Sequence, residues 1–99
     1  MHCITAVIRC QPDQVPVMRQ ALLDVVEHVK ANEPETVSYF VAQDNDDPCC
    51  FTTYERFADQ AAMDRHNNCE AVAHFYAIAR PILDGDVILV KSTELSIKL

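Results

Sequence analysis

Apolar positions alternate from the first residues of the chain: Ile4, Ala6 and Ile8 share one phase, and Cys3, Thr5 and Val7 the other. This spacing predicts a strand over Met1–Cys10 with two largely apolar faces. Gln11-Pro12-Asp13 breaks it, and from Val15 the period changes. Val15, Met18, Leu22, Val25 and Val29 form one stripe of a helix running to about Asn32, with Pro16 in the first turn, where a missing N–H is tolerated. Glu33-Pro34-Glu35 stops that helix, because the residue before a proline is pushed out of the helical region. Val37 to Ala42, β-branched and aromatic, reads as a second strand. After the polar turn Asn45-Asp46-Asp47-Pro48, Cys49 to Glu55 reads as a third strand, antiparallel to the second, since so short a connection suits a hairpin.

Asp59 stands at a helix N-cap position, where its side-chain oxygen can accept from exposed N–H groups and its charge suits the helix dipole. The short helix it opens ends at His66, before Asn67-Asn68, two residues that tolerate the conformation ending helices. A further helix begins near Cys69-Glu70. Val72, Phe75, Tyr76, Ala79 and Leu83 give it an apolar face, with Pro81 as a kink and Gly85 as its terminator. A last strand spans Asp86 to about Leu95. The order β-α-β-β-α-α-β predicts an α+β, ferredoxin-like split βαβ with one antiparallel sheet. Helices cover one face of that sheet, while Phe40, Ala42 and one side of the first strand are left on the other. Contiguous apolar surface of this kind predicts a homodimer joined through the sheet faces.

With 99 residues the chain forms one domain, residues 1–99, and its 49% hydrophobic against 23% charged composition is that of an ordered globular protein. A net charge of −7 without a Lys/Arg cluster argues against nucleic acid as a partner. No apolar run approaches the roughly 20 residues that span a bilayer, and no signal-type segment opens the chain, so a cytoplasmic location without membrane association is expected. The five cysteines show no C-x-x-C spacing and read as reduced thiols. A single glycine leaves no nucleotide-binding fingerprint, which disfavours a flavin or nicotinamide cofactor.

The candidate chemistry centres on histidine. His66, Glu70 and His74 are spaced by four, but eight residues of helix separate the two imidazoles by ~12 Å, too far for one ion, and no metal is expected. Glu70 is instead available to orient either ring. His66 is a candidate general acid/base at the mouth of a pocket between sheet and helices, or else a helix-terminal residue facing backbone carbonyls. Tyr39 and Tyr54 are candidates to face one cavity and hold a substrate oxygen, though each is equally explained as a core tyrosine. Phe40, Phe51, Phe57, Phe75 and Tyr76, with His74, are candidates for the binding walls. His2 and His28 carry no specific signal. Cys69, three residues after His66, has no motif of an activated nucleophile around it.

Three segments in this order, Glu33-Pro34-Glu35-Thr36-Val37-Ser38-Tyr39, Asp44-Asn45-Asp46-Asp47-Pro48 and Tyr54-Glu55-Arg56-Phe57 continuing through Ala61-Ala62-Met63-Asp64-Arg65-His66, resemble the antibiotic biosynthesis monooxygenase domain family. His74-Phe75 follows at the family's spacing. Two departures are plain: Glu35 stands where a glycine is common, and there is no tryptophan. The resemblance implies a dimeric α+β barrel and a monooxygenase without cofactor, oxidising a small quinol or hydroxylated aromatic with molecular oxygen. His66 would then take the substrate proton, and Tyr39 or Tyr54 would hold the oxygen. It equally accommodates an isomerase of a small hydroxyketone, for which Arg56, Arg65 or Arg80 would bind a phosphate, or a non-catalytic dimeric module that holds a metabolite.

Overall fold

The computed structural model describes residues 1–99. Its elements are β1 (His2–Arg9), α1 (Val15–Asn32), β2 (Thr36–Gln43), β3 (Cys50–Phe57), α2 (Gln60–Asn67), α3 (Glu70–Ala79) and β4 (Ile88–Thr93), with 3₁₀ turns at Pro12–Gln14 and Arg80–Ile82. The strands form one sheet in the order β2-β3-β1-β4, antiparallel throughout. This is the expected ferredoxin-like arrangement. One expectation fails at the end of α3: the helix does not run through a kink to Gly85. Pro81 has no N–H to continue the ladder, so the chain tightens into a 3₁₀ turn and Leu83 leaves the helix to form a bridge with Cys10. Gly85, at φ +86°, instead makes the turn toward β4.

Period-two alternation sorts the strand residues between faces. Ile4, Ala6 and Ile8 of β1 and Phe51 and Phe57 of β3 are buried on the helix side. Met18, Leu22, Val25 and Val29 of α1 and Phe75 and Ala79 of α3 pack on this layer, while Ala62 and Met63 of α2 cover Ile4 and Phe57. Each of the Ile, Leu, Val, Met and Phe side chains among these, fully buried, contributes about 1.5–3 kcal/mol. Only Thr53 and Glu55 break the apolar phase of β3, and both are buried.

No element covers the other face. Pairing places Phe40 opposite Tyr54, Tyr54 opposite Thr5, and Thr5 opposite Val90, one row across four strands. Ala42, Thr52, Val7 and Ile88 form the next row. Phe40 is 61% exposed, Ile88 59% and Val90 50%, so this face is apolar and open. Glu35 fits its turn without strain, because no residue other than glycine has a positive φ. Its carboxylate pairs with Arg65. All five cysteines are free. No helix is long and apolar enough to cross a membrane.

Candidate active site

Three short-range devices bring the site together. The Asp59 carboxylate accepts from the backbone N–H of Ala62 at 2.8 Å and fixes the start of α2, so that His66 in its last turn lies against the sheet. The α1 helix ends just before Glu33, whose side chain turns back beneath α2. A bulge between Thr36 and Ser38 shifts β2 by one residue, so Tyr39 joins Thr36 on the helix side; unbroken alternation would have sent it outward.

His66 is only 3% exposed, and both ring nitrogens meet carboxylates. Nδ1 lies 2.8 Å from Glu33 Oε1, and Nε2 lies 3.3 Å from Glu55 Oε1. The Thr53 hydroxyl donates to Glu55 Oε2 at 2.7 Å, and the Thr36 hydroxyl donates to Glu33 Oε1 at 2.8 Å. Glu33 Oε2 points outward, 3.1 Å from His28 Nε2. The ring centroids of Tyr39 and Phe57 each lie 5.4 Å from that of His66, in tilted contact. Burial alone would lower the pKa of His66, but hydrogen bonding and attraction from Glu55, and then from Glu33, outweigh it and raise the value above the usual 6.5. The imidazolium is thus favoured between two carboxylates. Burial, reinforced by the Glu55 charge, pushes the Tyr39 phenol far above its ordinary range, so it stays a neutral hydrogen-bond donor. Tyr76 is raised for the same two reasons, opposed by Arg80.

Glu55, His66, Tyr39, Thr53, Tyr76 and Leu89 line a cavity between the sheet and α3, closed below by aliphatic side chains of β1 and α1. At about 40 Å³ it has room for water but not for an aromatic ring. On the far side of Glu33 a polar groove of about 370 Å³ is lined by His28, Asn32, Glu33, Arg65 and Cys69. Ligand atoms of His28, Glu33 and Cys69 lie within 4.8 Å of one another and are the residues best placed to hold a metal ion. Contacts within the protein already account for their approach: the Cys69 thiol donates to Glu33 Oε2, and His28 Nε2 lies 3.1 Å from the same oxygen.

The structure brings together Tyr39, Phe57, His66 and Tyr76, with Phe75 at the cavity wall in edge contact with Tyr76. It separates the rest. Tyr54 and Phe40 sit on the open face of the sheet, so Tyr54 does not share a cavity with Tyr39; strand alternation that turns Glu55 inward turns Tyr54 outward, where its hydroxyl meets Cys3 Sγ at 3.5 Å. Phe51 is buried in the core under α1, away from the cavity lining. His74 is exposed in a groove between α1 and α3. Glu70 is exposed in the first turn of α3 and does not orient His66; Glu33 and Glu55 do so. No arginine lines the cavity: Arg56 is held by Glu94, Arg65 by Glu35, and Arg80 lies over the Tyr76 ring at 5.3 Å. Glu55 is the buried cavity residue beside His66 that the motifs of the sequence did not single out. The signal was present, for it is a carboxylate on the apolar phase of a strand.

This fold and a buried acid/base cluster under the helices define a small ferredoxin-like α+β protein with a pocket on its covered face. The family model described as antibiotic biosynthesis monooxygenase matches residues 1–78, and the chain belongs to that family. Comparison with curated proteins returned no match. Among solved structures, an antibiotic biosynthesis monooxygenase superposes with a TM-score of 0.88 at 22% identity, over 97% of this chain and 100% of that one. A Mycobacterium tuberculosis protein gives 0.89 at 19% identity, over 97% and 96% of the two chains. A Pseudomonas aeruginosa protein gives 0.86 at 24%, over 96% and 94%. At these identities the likeness speaks for the fold.

Proposed function

We propose that this protein is a monooxygenase that needs no cofactor and oxidises a small quinol or hydroxylated aromatic with molecular oxygen. The observation that carries this reading is the buried Glu55–His66 pair, which faces an apolar cavity beside the neutral Tyr39 phenol. A substrate hydroxyl entering the cavity gives its proton to that pair, and Tyr39 donates a hydrogen bond to the oxygen left behind. The resulting anion is electron-rich enough to pass electrons to O₂ directly. One oxygen atom joins a ring carbon and the other leaves as water, while the substrate supplies the electrons and ends at the quinone level. Aliphatic walls keep bulk water from the reactive intermediates.

The cavity has to widen before a ring can enter, and the half-buried Val72 and Tyr76 of α3 facing the exposed Leu89 of β4 form its yielding side. The open apolar sheet face supports a homodimer built through it. An isomerase of a small hydroxyketone is the second reading, supported by the small cavity and a cluster suited to proton transfer alone. The cavity's lack of arginine argues against phosphorylated substrates in either case. An oxygen electrode with a panel of quinols separates these readings: oxygen uptake that stops when His66 is replaced by alanine is expected. Product formed at the same rate without oxygen would overturn the monooxygenase.

A further inference from the structure

We propose that His28, Glu33 and Cys69 form a binding site for a zinc ion, one that ties the end of α1 to the start of α3. One ligand atom of each lies within 4.8 Å of the other two, and Glu33 Oε2 is 3.1 Å from His28 Nε2 and 3.9 Å from Cys69 Sγ. Bonds of about 2.0–2.3 Å to one tetrahedral ion place its ligand atoms roughly 3.3–3.6 Å apart. The two separations at Glu33 bracket that spacing, so small side-chain rotations close the three groups on an ion. Thiolate, imidazole and carboxylate are a donor set that zinc takes, with the fourth position left to water. Thiolate and carboxylate together cancel the charge of the ion. Binding forms the Zn–S bond, releases the thiol proton to solvent and changes no oxidation state.

The fold holds each ligand from behind. Glu33 Oε1 accepts from the Thr36 hydroxyl and meets His66 Nδ1, both at 2.8 Å, which leaves Oε2 turned toward the groove. Cys69 is the N-cap residue of α3, yet its thiol makes no capping bond. The contacts that gather the three groups are weak ones: the thiol bond is long, and His28 Nε2 comes close to Oε2 without the alignment of a hydrogen bond. A metal-bound imidazole donates its other N–H to a neighbour, and the Asn32 amide, 3.3 Å from His28 Nδ1, offers its oxygen there once it turns over. The polar groove of about 370 Å³ that these residues line gives a hydrated ion its way in. The ligands come from the end of α1 and from the α2–α3 junction, so no spacing in the sequence announces them. The ion takes no part in the proposed reaction. Glu33 gives it Oε2 and keeps Oε1 on His66 Nδ1, while Glu55 and the cavity meet the opposite ring nitrogen.

The site is tested by metal binding to the full chain, reduced, stripped with a chelator and then freed of it. Cobalt(II), which accepts zinc's geometry and is coloured, is titrated first. A thiolate-to-cobalt charge-transfer band should rise until one ion is bound per chain and vanish when zinc is added. Cys69→Ser should abolish the band, and His28→Gln should weaken zinc binding by about tenfold or more in calorimetry, at least what loss of an outer partner costs a metal site. Both side chains are partly exposed, so circular dichroism should be unchanged. Cys49→Ser, which alters a thiol outside the groove, should behave as wild type. No band with wild type, a band that survives in Cys69→Ser, or zinc affinity unchanged in His28→Gln overturns the site. Oxygen and quinol are absent from these measurements, so failure of the monooxygenase reading leaves the site standing, and loss of the site leaves that reading untouched.

Discussion

His66 Nδ1 lies 2.8 Å from Glu33 Oε1, a contact that ties the last turn of α2 to the residue just after α1, 33 positions upstream. It is at once a fold contact and a site contact. Replacing Glu33 with glutamine keeps the shape but removes a charge-assisted bond to a buried ring, and a loss of about 1.5–3 kcal/mol in stability is expected by urea denaturation. A change smaller than the error of that measurement would mean that the pair contributes little.

The same pair sets a pH dependence. The folded-state pKa of His66 is raised above its unfolded value near 6.5, so the stabilisation it gives is fully present below that value and is lost as pH rises through the folded pKa. Denaturation midpoints of wild type and His66→Gln should therefore differ most at pH 5.5–6.5 and converge toward alkaline pH. A gap that widened with pH would reverse the sign argued here.

Glu55→Gln retains the hydrogen bond from Thr53 but cannot accept a proton. Turnover should fall by about 10²–10⁴-fold, the range for loss of a general base, with circular dichroism unchanged. Tyr39→Phe should cost less, and Tyr54→Phe, altered on the opposite face of the sheet, should leave turnover within twofold. Steady-state kinetics of the three variants side by side checks the assignment of faces.

The open sheet face carries its own expectation. Sedimentation of the 11.2 kDa chain at micromolar concentration should give twice that mass, and Phe40→Asp, which puts a charge at the β2 end of the apolar row, should shift it to monomer. Wild type running only as monomer would leave the face uncovered and the dimer disproved.

Leu89→Ala removes a side chain from the yielding side of the cavity, where Leu89 is already 45% exposed, so stability should change little. Bulkier quinols should gain in kcat/KM relative to small ones. An unchanged ranking of substrates would show that entry occurs elsewhere.

How far the chain could be read beforehand follows from which interactions are local. Elements set by period and capping were legible: the β1 alternation, the α1 stripe, the Asp59 cap and the break after His66 all stand close to where the spacing put them. The open sheet face was legible too, because topology left nothing to cover it. The partners of His66 were not, since Glu33 and Glu55 reach it across long separations and no spacing rule brings them together. The bulge at Thr36–Ser38 hid the side on which Tyr39 lies. Tyr54 could have been assigned outward from Glu55 and Phe57 alone, once the buried phase of β3 was recognised as theirs. Pro81 ended α3 outright because its missing N–H falls where the ladder would otherwise continue.

The most direct measurement of the central claim is ¹⁸O₂ labelling of the product formed from a quinol by the 99-residue chain in chelator-treated buffer. One labelled oxygen atom per product molecule is expected with wild type, together with loss of labelled product in Glu55→Gln and His66→Ala. Product that carries no label, or labelled product formed equally by both variants, would contradict an oxygenase driven by the buried Glu55–His66 pair.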